Sequence, residues 1–405
     1  MSYYLLPRTP YYTYKTIGFE STSENPSVFI SHSLSHYLCG IKERITSKEK
    51  QWNTFKKYTN PCEYIHTVIP FKKKSVSKHK PLSRSYFKMI EIINIFYIQF
   101  SKPIHTFHLA EGPGGFIEAI VKMRNCKEDQ YVGMTLQDVM NDYNIPAWKK
   151  SETFLRENPN VMLENGKDGT GNILSLQNFE HVVDKYSSKM DLITADGGFD
   201  FSMDFNQQEI FISRLLFAQI AFALCMQKKN GTFILKIFDC FMQHTVDLLY
   251  MLSSFYSKVY IIKPKTTRYA NSEKYIVCHD FLFENHWDFY PYLHNCFENM
   301  MDKKNKNKNV LRFLKINTSY YFLQKIEEYN AIFGQKQIQN IHYTLSLIEN
   351  KHKQDKLDTL IKTNIQKSTD WCMKYNVSYN PLMNSSNIFL NSSSNSFNVF
   401  QQTTE

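Results

Sequence analysis

A lysine inside an apolar strand and an aspartate at the end of another are the residues of this sequence that packing explains least well. Lys236 stands in Leu235-Lys236-Ile237-Phe238, where burial is expensive unless a carboxylate accompanies the ammonium. Asp196 follows an apolar run in Thr194-Ala195-Asp196-Gly197-Gly198. Open α/β sheets put their ligands at the carboxyl ends of strands, although an aspartate there also suits the N-cap of a following helix. A third signal is His108-Leu109-Ala110-Glu111-Gly112-Pro113-Gly114-Gly115-Phe116. It reads as a strand, a glycine turn and a helix start, where the backbone can approach a ligand and helix-terminal N–H groups point at it. The spacing is G-P-G-G rather than G-x-G-x-x-G, and Pro113 removes an amide that a pyrophosphate grip would use, so a cofactor other than a dinucleotide is indicated. Glu273, in a polar loop entering the last apolar strand, is in isolation an ordinary loop acid.

Elements of an α/β domain surround these residues. Apolar positions recur at helical spacing over 85–100, a helix that carries Lys88, and strands and helices alternate after it. Strands are expected at 106–110, 131–136, 161–164, 191–195, 232–238, 259–262 and 275–281, with helices from 116 and at 207–227 and 244–256. A mostly parallel sheet covered on both faces follows, because right-handed crossovers bury both sides. Residues 1–75 read as a partly helical leader, with a helix over 33–50, and 76–290 as the α/β domain. Residues 291–370 read as a helical appendage containing a lysine-rich stretch at 302–315 and amphipathic helices at 320–351 and 357–367. The Asn/Ser-rich tail, 371–405, is expected to be disordered.

A hydrophobic fraction of 42% with 15% aromatics excludes a mostly disordered chain, and the formal charge of +10 suits a polyanionic partner. The eight cysteines contain no C-x-x-C pair, which argues against a zinc site or a disulfide framework and for a reducing, intracellular compartment. The most apolar stretch, 210–226, is interrupted by Arg214 and Gln219 and is shorter than the ~20 residues a bilayer requires. The first fourteen residues lack the pattern of a signal peptide. A soluble protein is expected.

Taken together, the motifs resemble the FtsJ-like ribose 2′-O-methyltransferases, specifically the branch acting on capped mRNA. The matching segments are Ser83-Arg84-Ser85-Tyr86-Phe87-Lys88, Glu111-Gly112-Pro113-Gly114-Gly115-Phe116, Gly133-Met134-Thr135-Leu136, Asp168-Gly169-Thr170-Gly171-Asn172-Ile173, Ala195-Asp196-Gly197-Gly198, Leu235-Lys236 and Asn271-Ser272-Glu273-Lys274-Tyr275. They span residues 81–282, about half the chain. Asn172 departs from the acid that some relatives carry there, and the family's cap-binding residues have no visible counterpart. The resemblance implies a Rossmann-like seven-strand methyltransferase fold with helical flanking segments and an antiparallel last strand. It implies S-adenosylmethionine as cofactor, held by Glu111, Gly112, Pro113, Gly114, Gly115, Phe116, Thr135, Asp168 and Asp196. A metal-free catalytic tetrad of Lys88, Asp196, Lys236 and Glu273 is also implied, as is methylation of the first transcribed nucleotide of 7-methylguanosine-capped mRNA. Uncapped RNA such as ribosomal RNA, or a non-catalytic RNA-binding role on the same fold, are the alternatives. This branch occurs in eukaryotes and large DNA viruses, and the Asn, Lys, Ile and Tyr usage fits an AT-rich genome.

Within that tetrad Lys236 is the expected base, with Lys88 nearby, since a neighbouring ammonium and desolvation disfavour the charged form of a lysine. Asp196 is expected to orient Lys236 and to face the cofactor's sulfonium, and Glu273 to hold both lysines. Two basic segments adjoin the motifs, Lys72-Lys73-Lys74 before the Lys88 helix and Lys263, Lys265 and Arg268 before Glu273. They are expected to line a phosphate-binding groove.

Overall fold

Alternating strands and helices bring the motif-bearing strand ends to one edge of a single mixed sheet. The computed structural model describes residues 3–10, 12–99, 103–138, 145, 147–198 and 206–381. The strands are β1 (Tyr3–Leu5), β2 (Ile17–Thr22), β3 (His105–Leu109), β4 (Gln130–Met134), β5 (Val161–Leu163), β6 (Met190–Ala195), β7 (Gln227–Ile237), β8 (Tyr256–Ile262), β9 (Lys274–Phe281) and β10 (Asn309–Leu314). The helices are α1 (His32–Thr46), α2 (Glu49–Phe55), α3 (Ser85–Phe96), α4 (Gly115–Arg124), α5 (Glu152–Glu157), α6 (Leu176–Tyr186), α7 (Gln208–Met226), α8 (Gln243–Phe255), α9 (Tyr290–Met301), α10 (Tyr320–Glu349) and α11 (Gln354–Lys374).

The main sheet runs β1-β8-β9-β7-β6-β3-β4-β5. Neighbours from β5 to β7 are parallel, and β9 inserts antiparallel between β7 and β8. Strands β3 and β4 are buried on both faces over Thr106–Leu109 and Tyr131–Met134, as strands of a helix-covered parallel sheet should be, and the polar Thr106 and His108 within β3 bond to each other at 2.9 Å. Helix α7 is apolar around its whole circumference, and only Phe211 and Arg214 escape full burial, the pattern of a core helix. It is the one described helix long and apolar enough to cross a membrane, and here it packs among α6, α8, α9, β6, β7 and β10.

The flanking segments depart from expectation. The leader supplies β1, which pairs antiparallel with β8 at the sheet edge, and β2, which pairs with β10. The appendage is therefore not purely helical, since its lysine-rich stretch includes β10. The helix expected at 33–50 is divided into α1 and α2, and that expected at 357–367 extends over the whole of α11. Residues on both sides of positions 75 and 290 share sheets and cores. Trp371, expected in the tail, is buried with its ring 5.8 Å from Phe87 on α3, and Tyr379 bridges to Ser77. Short strands such as β1 carry no periodic signal of their own; pairing with a distant strand creates them. Residues 382–405 of the expected disordered tail lie outside the described residues.

Candidate active site

Strand register assembles the four charged residues. In the antiparallel pair β7–β9, Lys236 stands opposite Tyr275, so their side chains share a face, and Glu273 lies two residues before Tyr275. The parallel pairing of Ala195 with Leu235 sets Asp196 next to Lys236, and α3 supplies Lys88. Lys236 Nζ donates to the backbone oxygen of Asp196 at 2.6 Å and lies 3.3 Å from its Oδ1. Lys88 Nζ lies 2.7 Å from Glu273 Oε1. All four side chains are only 11–13% exposed, so their charges act in a largely desolvated site where they are felt strongly.

The two ion pairs meet at a residue that was not expected to contribute, Tyr275. Its fully buried hydroxyl lies 2.9 Å from Asp196 Oδ1, 3.2 Å from Glu273 Oε1 and 3.4 Å from Lys88 Nζ. One phenolic proton can serve only one carboxylate at a time, so the hydroxyl bridges the pairs. Burial and the two adjacent carboxylates push its pKa well above the usual tyrosine value. Burial alone would raise Glu273, but Lys88 and Lys236 outweigh it and hold the carboxyl down to about 2. Both expected lysines act on Glu273 through their charge. Its salt bridge is with Lys88, and Tyr275 stands between it and Asp196. The only advance signal for Tyr275 was its position two residues after Glu273 in an alternating strand.

Beside this cluster lies the glycine turn. A Cβ on Gly112 would come within 2.5 Å of the Ala147 carbonyl oxygen, and one on Gly115 within 2.2 Å of the Ser83 and Ser85 hydroxyls. At Gly114, with φ +100°, and at Gly133, a Cβ would meet the Trp148 ring at 2.9 and 2.5 Å. These glycines are required by close protein packing, above all by Trp148, rather than only by an approaching ligand. Thr135 Oγ1 accepts from Gly112 N at 3.3 Å, and Gln137 N donates to Thr170 O at 2.8 Å, which joins the turn to the 166–172 loop. Asp168 is exposed; its Oδ1 accepts from Thr170 N at 2.9 Å and from Asn178 Nδ2 at 2.9 Å, shaping that loop. Pro113 O accepts from Ser151. Phe116 is buried, its ring 5.8 Å from that of Tyr275, so it braces the site from within.

The sheet order and the ordered motifs around this edge agree with a match of residues 81–281 to the FtsJ-like methyltransferase family. The chain carries an FtsJ-like methyltransferase domain. Among curated proteins, it is 25% identical over 265 residues to the Drosophila melanogaster protein named cap-specific mRNA (nucleoside-2′-O-)-methyltransferase 2, covering 60% of this chain and 36% of that one. It is 32% identical over 250 residues to cap-specific mRNA (nucleoside-2′-O-)-methyltransferase 1 of Dictyostelium discoideum, covering 58% and 32%. A Caenorhabditis briggsae relative, 26% identical over 274 residues and covering 65% and 31%, is named as the inactive methyltransferase 1B. The chain thus spans about a third of the length of each of these relatives.

Within the FtsJ-like domain, Glu111 turns back into the sheet, where its Oε1 accepts from Thr194 and its Oε2 lies 3.3 Å from His108 Nδ1. Burial raises its pKa. Glu111 Oε2 has this His108 contact, whereas the buried indole nitrogen of Trp148 has no hydrogen-bond partner among the described residues. The unsatisfied Trp148 nitrogen beside the turn, with the Asp196 carboxylate, fits a ligand that carries both hydrogen-bonding groups and positive charge.

The basic segment before Glu273 corrects an expectation. Lys263 points inward, its Nζ donating to the carbonyls of Asn271 and of Glu273, the latter at 3.0 Å. Burial and nearby Lys274 bring its pKa down to about 7. Arg268 donates to the buried carboxylate of Glu63 at 2.8 and 3.2 Å, beside Arg84 at 2.8 Å. Both side chains are half-buried and spend these hydrogen bonds on fixing the loop that presents Glu273. Lys265 is exposed, and its backbone N–H is held at 2.9 Å by Glu91, a buried residue of α3. Lys72, Lys73 and Lys74 are all exposed.

Proposed function

We propose that this chain transfers the methyl group of S-adenosylmethionine to a ribose 2′-hydroxyl of RNA, acting on the first transcribed nucleotide of capped mRNA. The observation that carries this reading is the paired arrangement of Lys88 with Glu273 and Asp196 with Lys236 around the Tyr275 hydroxyl. When bound, the cofactor supplies an electrophilic methyl on a positively charged sulfur. The glycine turn with Glu111, Thr135, the Asp168 loop and the unpaired Trp148 nitrogen would hold it, with the Asp196 carboxylate complementing its charge.

A ribose hydroxyl is a weak nucleophile at neutral pH, so alignment and proton removal supply the acceleration. Lys236 accepts the hydroxyl proton at Nζ, and its contacts to the Asp196 carbonyl and carboxylate fix the direction from which it approaches the ribose. Lys88 and Glu273 supply the charge around that proton, while Tyr275 keeps the two pairs in register. The names of the relatives support capped mRNA as substrate. The existence of an inactive relative makes the intact tetrad, rather than overall similarity, the argument for catalysis.

The test is methyl transfer from labelled S-adenosylmethionine to matched capped and uncapped RNAs, followed by nuclease mapping of the labelled ribose. Label on the first transcribed ribose of the capped RNA alone is expected. Equal transfer to both RNAs would move the assignment to uncapped RNA. No transfer by a folded, cofactor-binding protein would leave an RNA-binding role.

A further inference from the structure

The turn at residues 69–72 stores strain for a side chain that the fold does not use. Lys72 N donates to Ile69 O at 3.1 Å, closing a four-residue turn with Pro70 and Phe71 at its centre. Phe71 has φ +66°. Proline at the second position with positive φ at the third defines a type II turn, whose third position normally takes glycine. A bulky side chain in the left-handed region is disfavoured and is maintained only when something else requires it. Core packing does not require this one, because Phe71 is 99% exposed. Lys73 is a second left-handed residue, at φ +50°, and Ile69 N donates to Lys74 O at 2.9 Å, which shuts the loop beneath the ring.

The base of this loop is tied to the helix that carries Lys88. Ile69 is buried in the same core as Phe87. Val76 N and Ser77 N donate to Tyr64 O and Ile65 O at 2.8 and 3.1 Å. The adjoining Glu63 takes a hydrogen bond from Arg84, four residues before Lys88. An outward aromatic ring flanked by the exposed Lys72, Lys73 and Lys74 combines the two elements that single-stranded nucleic acid recognises: a π-face for an unpaired base and cations for the adjacent phosphates.

We propose that Phe71 is a stacking platform for an unpaired base of the RNA chain, with Lys73 and Lys74 on the neighbouring phosphates. This rests on the RNA reading above. It deepens that reading by assigning a contact on the transcript outside the catalytic cluster. Stacking is indifferent to base identity, so the contact grips the chain without selecting sequence.

Fluorescence anisotropy on capped and uncapped single-stranded RNAs, across a salt series, tests it with Phe71→Gly, Phe71→Trp and the double variant Lys73→Glu/Lys74→Glu. Glycine removes the ring and also suits the turn, so Phe71→Gly should melt no lower than wild type. It should weaken binding of both RNAs roughly tenfold, in the range of one lost stacking contact, with S-adenosylmethionine affinity and the salt slope unchanged. Phe71→Trp should bind like wild type. Lys73→Glu/Lys74→Glu should flatten the salt slope by about one unit per lost phosphate contact. Wild-type RNA affinity in a folded Phe71→Gly protein overturns the platform while leaving the RNA reading intact. A loss confined to capped RNA overturns the chain-base assignment in favour of a cap contact. Absence of RNA binding by the wild type overturns both readings together.

Discussion

Two buried carboxylates lie along α3, each held by a cation at its first turn, and they differ in the kind of cation. Glu63 is gripped by Arg84 and Arg268, with Thr67 adding a bond at 2.8 Å. Glu273 is paired with Lys88, four residues after Arg84, and shares Tyr275 with Asp196 and Lys236. In both, burial alone would raise the carboxyl, but the neighbouring cations bring it down to about 2. The electrostatics are alike and the chemistry is not. Guanidinium groups retain their protons and clamp through fixed forks, whereas an ammonium is a compact donor that can exchange a proton. The Glu63 cluster is a staple between the leader, α3 and the 263–273 loop; the Glu273 cluster can handle a proton.

Exchanging the cations should break the comparison most sharply. Lys236→Arg keeps the charge but cannot act as a base, and methyl transfer should fall by at least ~100-fold with cofactor affinity within a few fold, read by single-turnover kinetics and calorimetry. Turnover above about a tenth of wild type would remove Lys236 from the base role. The reciprocal change, Arg84→Lys, should leave the turnover of the folded enzyme near wild type. Removing the staple, Glu63→Ala, should cost roughly 3 kcal/mol in urea unfolding, because two cations lose their buried partner; a change below ~0.5 kcal/mol would mean that the cluster is not holding the loop.

A smaller effect should sharpen the other half. Tyr275→Phe removes one hydroxyl from the bridge while keeping the ring against Phe116. It should lower kcat about tenfold, leave KM for RNA unchanged and displace the pH–rate profile; an unchanged profile with a lower Tm would reduce Tyr275 to a packing residue. The gentlest test is acid unfolding. Both carboxylates titrate lower in the folded than in the unfolded chain, so the folded state binds fewer protons between about pH 2 and 4.5. Their stabilisation is complete above that window and is lost as pH falls through it. Glu63→Gln/Glu273→Gln should flatten this loss between pH 4.5 and 2, and a wild-type acid limb in that variant would locate the acid sensitivity elsewhere.

That Lys88, Asp196, Lys236 and Glu273 would lie together was legible through the resemblance of their ordered segments to a known family, although Glu273 alone read as an ordinary loop acid. The alternation of strands also foretold which sheet edge would hold them. Direction was not legible. Lys263 and Arg268 read as surface cations because a sequence records charge but not the loop carbonyls and buried carboxylate that capture them. The glycines of the turn read as ligand clearance, whereas Trp148, more than thirty positions away in the chain, occupies much of that clearance. Tyr275 was visible as a strand residue, but its hydroxyl gains meaning only when the distant Lys88 and Asp196 join neighbouring Glu273 around it. β1 and β2 escaped notice because three- and six-residue strands have too little pattern to announce partners hundreds of residues away.

The pairing of Tyr3 with Ile262 and of Leu5 with Tyr260 also sets an order of events during synthesis. Edge strand β1 is made before every parallel strand of the main sheet, and its partner β8 after all of them. At translation rates of roughly 5–20 residues per second, β1 must wait on the ribosome for a time on the order of ten seconds or more before β8 is available to pair with it. The main sheet can therefore nucleate from β3 to β7 without it, and closing the β8 edge becomes a late step in maturation, when β1 returns to seal it.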